Sequence, residues 1–302
     1  MELIFRPPIA PLRPYCNFLT YYAGAMPAHA RERLLPDGTA NIIIDLTERP
    51  KRLFESPEGG AGRDFRRAWI SGLHRRAIII EAQLHSSMLI LNLNPVAVRL
   101  LTGHDASAFA DRVEDLQAVI GAGAEDLREL VLEARGAEAR LKTAETWMLG
   151  RLAAREPPRA VAHMLARIAT GPSAPVGLIA EETGLTDRQL RNLFSAWVGV
   201  SPKQYQRLAR FQRLLLALSP GRGVVLDDLN LEGAGLGEID WARLAASLGY
   251  ADQPHLVHEF STFAGVTPSA YVEAFRGLSN YLPIGKQEEI SEIYKTDTRR
   301  AR

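Results

Sequence analysis

Two stretches of this chain repeat one another about 65 residues apart: AEETGLTDRQLRNLFSAWVGVSPKQY at 180–205 and AASLGYADQPHLVHEFSTFAGVTPSAY at 245–271. Ala180, Gly184 and Asp187 answer to Ala245, Gly249 and Asp252. After one extra residue in the second copy, Leu190, Phe194, Gly199, Val200, Pro202 and Tyr205 answer to Leu256, Phe260, Gly265, Val266, Pro268 and Tyr271. Self-similarity of this kind means that one supersecondary unit has been used twice, and it limits the fold more than any bulk property of the chain does.

The residue types say what the unit is. Two helices joined by a turn of three or four residues must approach closely, so the first carries a small residue toward its partner, Ala180 or Ala245. The turn needs a backbone that accepts positive φ, which Gly184 or Gly249 supplies. Leu185 or Tyr250 covers the corner, and a capping residue then starts the second helix: Thr186 or Asp187 in one copy, Asp252 in the other. Leu190, Leu193 and Phe194 fall on one face of that helix, which turns Arg188, Gln189, Arg191, Asn192 and Ser195 outward, where they can enter a major groove. A single such segment is no more than a helical hairpin; two copies with matching tails point to DNA binding.

At this level of detail the chain resembles the AraC/XylS transcription regulators over about residues 159–275. VGVSPKQYQRLARFQRLLLAL (198–218) is similar to the end of that family's first helix-turn-helix unit running into its linker helix, and GYADQPHLVHEFSTFAGVTPSAY (249–271) is similar to its second unit. The resemblance implies DNA contacts from Thr186, Arg188, Gln189, Arg191, Asn192, Ser195, Lys203 and Arg207 in and after the first unit, and from Gln253, His255 and His258 in the second. RLLPDGTANIIIDL (33–46), WISGLHRRAIII (69–80) and DRVEDLQAVIGAGAEDLRELVLEA (111–134) resemble the sensory domain of one AraC subgroup.

The charge distribution departs from that family's habit. Between Thr186 and Arg222 stand seven basic residues (Arg188, Arg191, Lys203, Arg207, Arg210, Arg213, Arg222) and one acidic, Asp187. Between Asp227 and Phe275 stand eight acidic residues (Asp227, Asp228, Glu232, Glu238, Asp240, Asp252, Glu259, Glu273) and one basic, Arg243. Phosphate neutralisation therefore falls to the first unit. The second touches DNA weakly, turns its acids to solvent, or meets a protein such as RNA polymerase. The glycine-rich segment Ser219–Glu238 reads as a long exposed loop.

The N-terminal half reads differently. Apolar runs of strand length at 17–22, 40–46, 77–83 and 88–93 are separated by turn signals such as Pro36-Asp37-Gly38, and from Asp111 to Leu152 apolar residues recur three and four apart. Those helical stripes must be buried against the domain's own sheet or a second copy. Pro157-Pro158 marks the boundary. The expected architecture is thus an α+β N-terminal sensor domain over 1–156, a small β-barrel or curled sheet plus helices, and an all-α C-terminal domain of two helix-turn-helix units over 159–278, with 279–302 as a flexible tail.

Composition excludes some classes. A 46% hydrophobic chain of 302 residues with net charge +1 has the makeup of a globular protein, so any nucleic-acid role must come from a local patch. No tract is apolar for long enough to span a bilayer, no signal-like leader opens the chain, and the single Cys16 reads as a buried thiol, so a cytoplasmic setting is expected. His29, His74, His85 and His104 are scattered without metal-ligand spacing, and neither a phosphate-binding loop nor a nucleophile elbow is present. No cofactor, metal or enzymatic activity is expected. Trp69 and His74 are the candidates to line a cavity for a small-molecule effector. The expected partners are double-stranded DNA and a second copy of the chain; the rival reading is a helix-turn-helix-fold protein that acts by binding another regulator.

Overall fold

The computed structural model describes residues 1–152, 156–170, 175–219, 239–276 and 279–285. The N-terminal half holds two antiparallel sheets. The first has six strands: β1 (Glu2–Arg6), β2 (Cys16–Ala25), β4 (Ala40–Asp45), β7 (Ala68–Ser71), β9 (Ser86–Leu93) and β10 (Val113–Asp115), in spatial order β1-β2-β9-β4-β7-β10. The second contains β3 (Arg31–Leu34), β5 (Lys51–Phe54), β6 (Gly62–Phe65) and β8 (Ile78–Glu81), and is completed by β11 (Tyr281–Ile284), in order β11-β3-β8-β5-β6.

Period-two alternation splits the six-stranded sheet into two faces. Leu19, Tyr21, Ile42, Ile44, Leu89 and Leu91 pack under α1 (Pro95–Thr102), α3 (Gly123–Glu133) and α4 (Ala137–Leu152), where Leu127, Val131, Leu141, Ala144 and Met148 meet them. The opposite face sets Ile43 and Trp69 against Phe65 and Leu53 of the second sheet. The helical stripes of 111–152 are therefore buried against the domain's own sheet. Two buried charges bind the layers. Glu145 accepts two bonds from Arg6 (3.0 Å each) and one from the backbone N–H of Ile9 (2.9 Å), while Arg128 donates to the carbonyl of Asp45 (3.1 Å) and to Glu48 (2.7 Å). Cys16 is buried, and burial pushes its thiol up to about 12.

The four strand-length runs coincide with β2, β4, β8 and β9. The onset of helix does not follow the expectation: Val113 belongs to β10, paired with Ser71, and Asp115 then caps α2 (Leu116–Ile120) by accepting from the N–H groups of Gln117 and Ala118. Apolar residues at helical spacing cannot reveal that the first of them is taken by a sheet edge.

The C-terminal half is helical. α5 (Arg159–Thr170) precedes the first unit, made of α6 (Val176–Thr183) and α7 (Asp187–Val198), and α8 (Pro202–Ala217) leads away from it. α9 (Trp241–Ser247), α10 (Gln253–Ala264) and α11 (Pro268–Ala274) form the second. The loop expected over Ser219–Glu238 lies outside the described residues from 220 on. In the expected tail, Tyr281–Ile284 is a strand: it pairs with β3 across the register Tyr281↔Leu34 to Ile284↔Arg31, and Leu282 is 3% exposed. Proline at 283 disguises the segment in the sequence, because proline is disfavoured in strands except at edges such as this one.

Candidate nucleic-acid interface

The repeat seen in the sequence is a repeat in geometry. Gly184 (φ 68°) ends α6 and Gly249 (φ 76°) ends the turn after α9. The next residue then donates back across the corner in the same way in both copies, Leu185 N to Ala180 O at 3.0 Å and Tyr250 N to Ala245 O at 2.9 Å. Ala180 and Ala245 are buried, as close helix approach requires. Thr186 caps α7 in a reciprocal box with Gln189, and Asp252 caps α10 by accepting from His255 N at 2.7 Å. Behind each second helix an aromatic pair repeats: Phe194 against Tyr205 (5.8 Å, 67°) and Phe260 against Tyr271 (5.6 Å, 66°).

On α7, Arg188, Gln189, Arg191 and Asn192 are all exposed, and Ser195 is half-buried one turn on. They cover the N-terminal part of the helix, the part that reaches base edges when such a helix lies in a major groove. Thr186 is exposed but its hydroxyl is occupied by the capping box, and the Gln189 side chain accepts from Thr186 N at 2.9 Å. Arg191 folds back onto Asp187, donating to its carbonyl (3.1 Å) and its carboxylate (3.2 Å), a solvated pair that DNA can displace. Lys203 is exposed at the start of α8.

Arg207 is placed elsewhere. Its Nε donates to Glu259 at 2.9 Å and its guanidinium lies over the Phe263 ring at 5.5 Å. Arg210 donates to the other oxygen of Glu259 at 2.7 Å and to Gly249 O at 2.8 Å, and sits 4.3 Å above the Tyr250 ring. Glu259 is 2% exposed. These three residues fasten the linker helix to the second unit, a role that counting charges along the chain does not reveal. The available signal is position: Glu259 lies on the stripe Leu256, Phe260, Phe263, at the spacing that faces the core.

Of the acids of the second unit, Asp227, Asp228, Glu232 and Glu238 lie outside the described residues; Asp240 and Asp252 are exposed helix caps, Glu273 is exposed and Glu259 is interior. On α10 itself Gln253 and His258 are exposed. His255 is half-buried: its Nδ1 accepts from Ala251 N at 3.2 Å and its Nε2 is 3.6 Å from Glu259. No lysine, arginine or carboxylate stands at the exposed positions of α10.

The second helix of each unit, α7 and α10, is held at its C-terminal end by the N-terminal half. Trp197 lies under the Arg99 guanidinium at 5.2 Å, and a Cβ at Gly199 would come within 3.2 Å of Ala106 O. At the end of α10, Phe263 O accepts from Ala77 N (2.8 Å), and Ala264 O and Gly265 O both accept from Arg33 (3.2 Å). Between these contacts runs a cleft of about 490 Å³, lined by His74, Arg75, Arg76 and Asp111 on one side and Gln204 and Arg207 on the other. Burial lowers the His74 pKa, and its Nε2 shares a 2.9 Å hydrogen bond with Ser71. Trp69, the other residue expected at a cavity, is packed between the sheets beside Phe65.

Comparison with known proteins adds the following. A domain of unknown function, DUF6597, matches residues 5–115. No curated protein matches. Among solved structures, ToxT from Vibrio cholerae is similar at 10% identity and a TM-score of 0.43, over 84% of this chain and 98% of that one. A DNA-binding transcriptional dual regulator from Escherichia coli K-12 is similar at 22% identity and 0.27, over 38% and 92%. The regulator CdpR from Pseudomonas aeruginosa is similar at 18% and 0.28, over 63% and 46%. With scores this low, function has to be argued from the chain's own residues.

Proposed function

We propose that the chain is a sequence-specific DNA-binding transcription regulator of the AraC type and not an enzyme, working in the cytoplasm as a homodimer under the control of a signal received by the N-terminal half. The observation that carries this reading is the doubled helix-turn-helix, with its matched turns, caps and aromatic pairs, behind an exposed face of Arg188, Gln189, Arg191 and Asn192. Arg188 and Arg191 suit guanine edges or phosphates, and Gln189 and Asn192 suit adenine. Lys203 adds a phosphate contact, and Gln253, His255 and His258 supply a weaker second contact. The cleft beside His74, Arg75 and Arg76 is where a small-molecule effector is best placed to act, since it adjoins both halves. RNA polymerase is a further partner on this reading.

The test is a gel-shift with DNA from upstream of the chain's own gene, across a salt series. Binding that strengthens as salt falls and weakens in Arg188→Ala/Arg191→Ala is expected; no retardation at low salt refutes the reading. The rival, a helix-turn-helix-fold protein that binds another regulator, is favoured by the absence of lysine and arginine from α10, and would show as retention by a protein partner without any DNA shift.

A further inference from the structure

The chain does not leave the second helix-turn-helix unit for solvent. Beyond α11 it returns to the N-terminal half and lays β11 on β3, in the register Tyr281↔Leu34, Leu282↔Arg33, Pro283↔Glu32 and Ile284↔Arg31. The ladder is framed by Leu35 N donating to Asn280 O at 3.0 Å and Ala30 N donating to Ile284 O at 3.2 Å. Leu282 is buried, and the Tyr281 hydroxyl meets His29 and donates to Glu32 at 3.2 Å. At its near end the segment is tied to the unit's own core, where the buried Tyr271 hydroxyl donates to Ser279 O at 2.9 Å.

β3 is also the strand that grips α10. Arg33, the register partner of Leu282, donates to the carbonyls of Ala264 and Gly265. Without β11, β3 would pair with β8 alone and become the edge of its sheet. Local stability follows the contacts and hydrogen bonds that a segment makes, so the Arg33 grip is firmer with β11 in place. β11 itself is short, four residues long, and Pro283 has no N–H to give.

The two units need that restraint unequally. α7 brings Arg188 and Arg191 to DNA, whereas α10 has no lysine or arginine. Contacts from uncharged side chains must outweigh the cost of ordering the unit that carries them, and restraint already present in the free protein removes part of that cost.

We propose that β11 is a releasable strap that positions the second unit for reading DNA, so that its docking on β3 sets how much α10 contributes. The inference rests on the proposed function and adds a point of control to it. With the strap docked, Arg188, Arg191, Gln253 and His258 are all exposed, so it acts by placement and not by blocking a reading face.

The full chain carrying Leu34→Cys/Tyr281→Cys, two residues that face each other in the register, allows the strap to be locked by oxidation and loosened by reduction. On reduction, DNA affinity measured by fluorescence anisotropy should fall at least about fivefold, the lower bound for one lost base contact, and oxidation should restore it. In a Gln253→Ala/His255→Ala/His258→Ala background the fall should shrink to less than about twofold, because the two perturbations act through the same helix. A structural readout needs no DNA: the amide of Ala77, which donates to Phe263 O at the end of α10, should exchange with solvent faster in the reduced protein than in the oxidised one. Circular dichroism confirms the fold, and Tyr281→Phe, which gives up only the hydroxyl, should move both readouts the same way by less. Affinity that is equal in the two redox states, or higher on reduction, overturns the positioning role. A fall of the same size in the triple-alanine background does so too, since it would then reflect a general loss of folded protein. A wild-type chain that binds no DNA at low salt refutes the proposed function and the positioning role with it; the Ala77 exchange, unchanged or faster on reduction, then decides separately whether β11 holds the second unit at all.

Discussion

Replacing Glu259 by Gln should loosen the second helix-turn-helix unit and, at the same time, strengthen the salt dependence of DNA binding. The side chain is 3% exposed and holds Arg207 at 2.9 Å and Arg210 at 2.7 Å. Breaking a buried ion pair from one side costs about 3–5 kcal/mol, because the abandoned charge stays desolvated. Two features reduce that here. Arg207 is 40% exposed and can swing into water, so its share is screened, and Arg210 keeps Gly249 O and the Tyr250 ring. A loss of about 2–3 kcal/mol follows, which corresponds to a fall in thermal midpoint of roughly 5–10 °C.

The second readout separates a released arginine from a merely weaker fold. Once free, Arg207 lies on the same helix as Lys203 and can meet a phosphate. On the proposed function, about three cations (Arg188, Arg191 and Lys203) meet the phosphate backbone in the native protein, which gives an expected slope of log affinity on log salt of roughly −3 per protomer. Glu259→Gln should take it to roughly −4 when measured on folded protein well below its midpoint. A midpoint that moves by less than about 1 °C together with an unchanged slope would refute the reasoning, since Glu259 would then behave like a surface carboxylate.

The double change Arg188→Ala/Arg191→Ala should cost about 1–3 kcal/mol for each arginine that reads a base and leave a slope near −1, measured by fluorescence anisotropy; an equal or larger loss from His255→Ala/His258→Ala reverses the ranking of the two units. Burial lowers the His74 pKa, so the unfolded chain binds the proton more readily; stability is retained above the ordinary histidine value of about 6.5 and lost as pH falls below it, and His74→Asn should flatten the midpoint-against-pH curve between about pH 7 and 5. Leu282→Ala, at a side chain 3% exposed, should cost about 2–3 kcal/mol despite lying near the C-terminus, and a change under about 0.5 kcal/mol in calorimetry would mean that β11 contributes nothing.

The doubled unit is legible in the sequence because its requirements are local. A corner glycine, a cap three residues before the N–H from which it accepts, and a buried alanine recur whenever two short helices must meet, and each leaves one letter in the chain. The sheets are half legible for the same reason: β2, β4, β8 and β9 carry long or strongly apolar runs, whereas β5 (KRLF) and β6 (GRDF) are held by cross-strand partners such as Arg52 and Asp64, which no single-strand pattern records. What stays hidden is long-range. Arg207 and Glu259, 52 positions apart in the chain, and Tyr281 and Glu32, 249 apart, meet in contacts that depend on the finished fold.

The way the halves meet bears on how a signal can act. Arg188 and Asn192 are exposed toward the N-terminal end of α7, while the N-terminal half grips Trp197 and Gly199 at the other end, and the carbonyls of Phe263, Ala264 and Gly265 at the end of α10. The two grips come from different elements, residues 95–109 for α7, and Arg33 with Ala77 for α10. On the proposed function, an effector in the cleft beside His74 and Arg75 would adjoin the second grip and α8 through Gln204 and Arg207, where it could change the tilt of one unit against the other without covering Arg188 or Asn192. A two-unit reader depends on that tilt, because its second helix must meet a groove fixed by where the first has docked. On the proposed function, control is therefore exercised on geometry between units, with Glu259, Arg207 and Arg210 as the joint that transmits it.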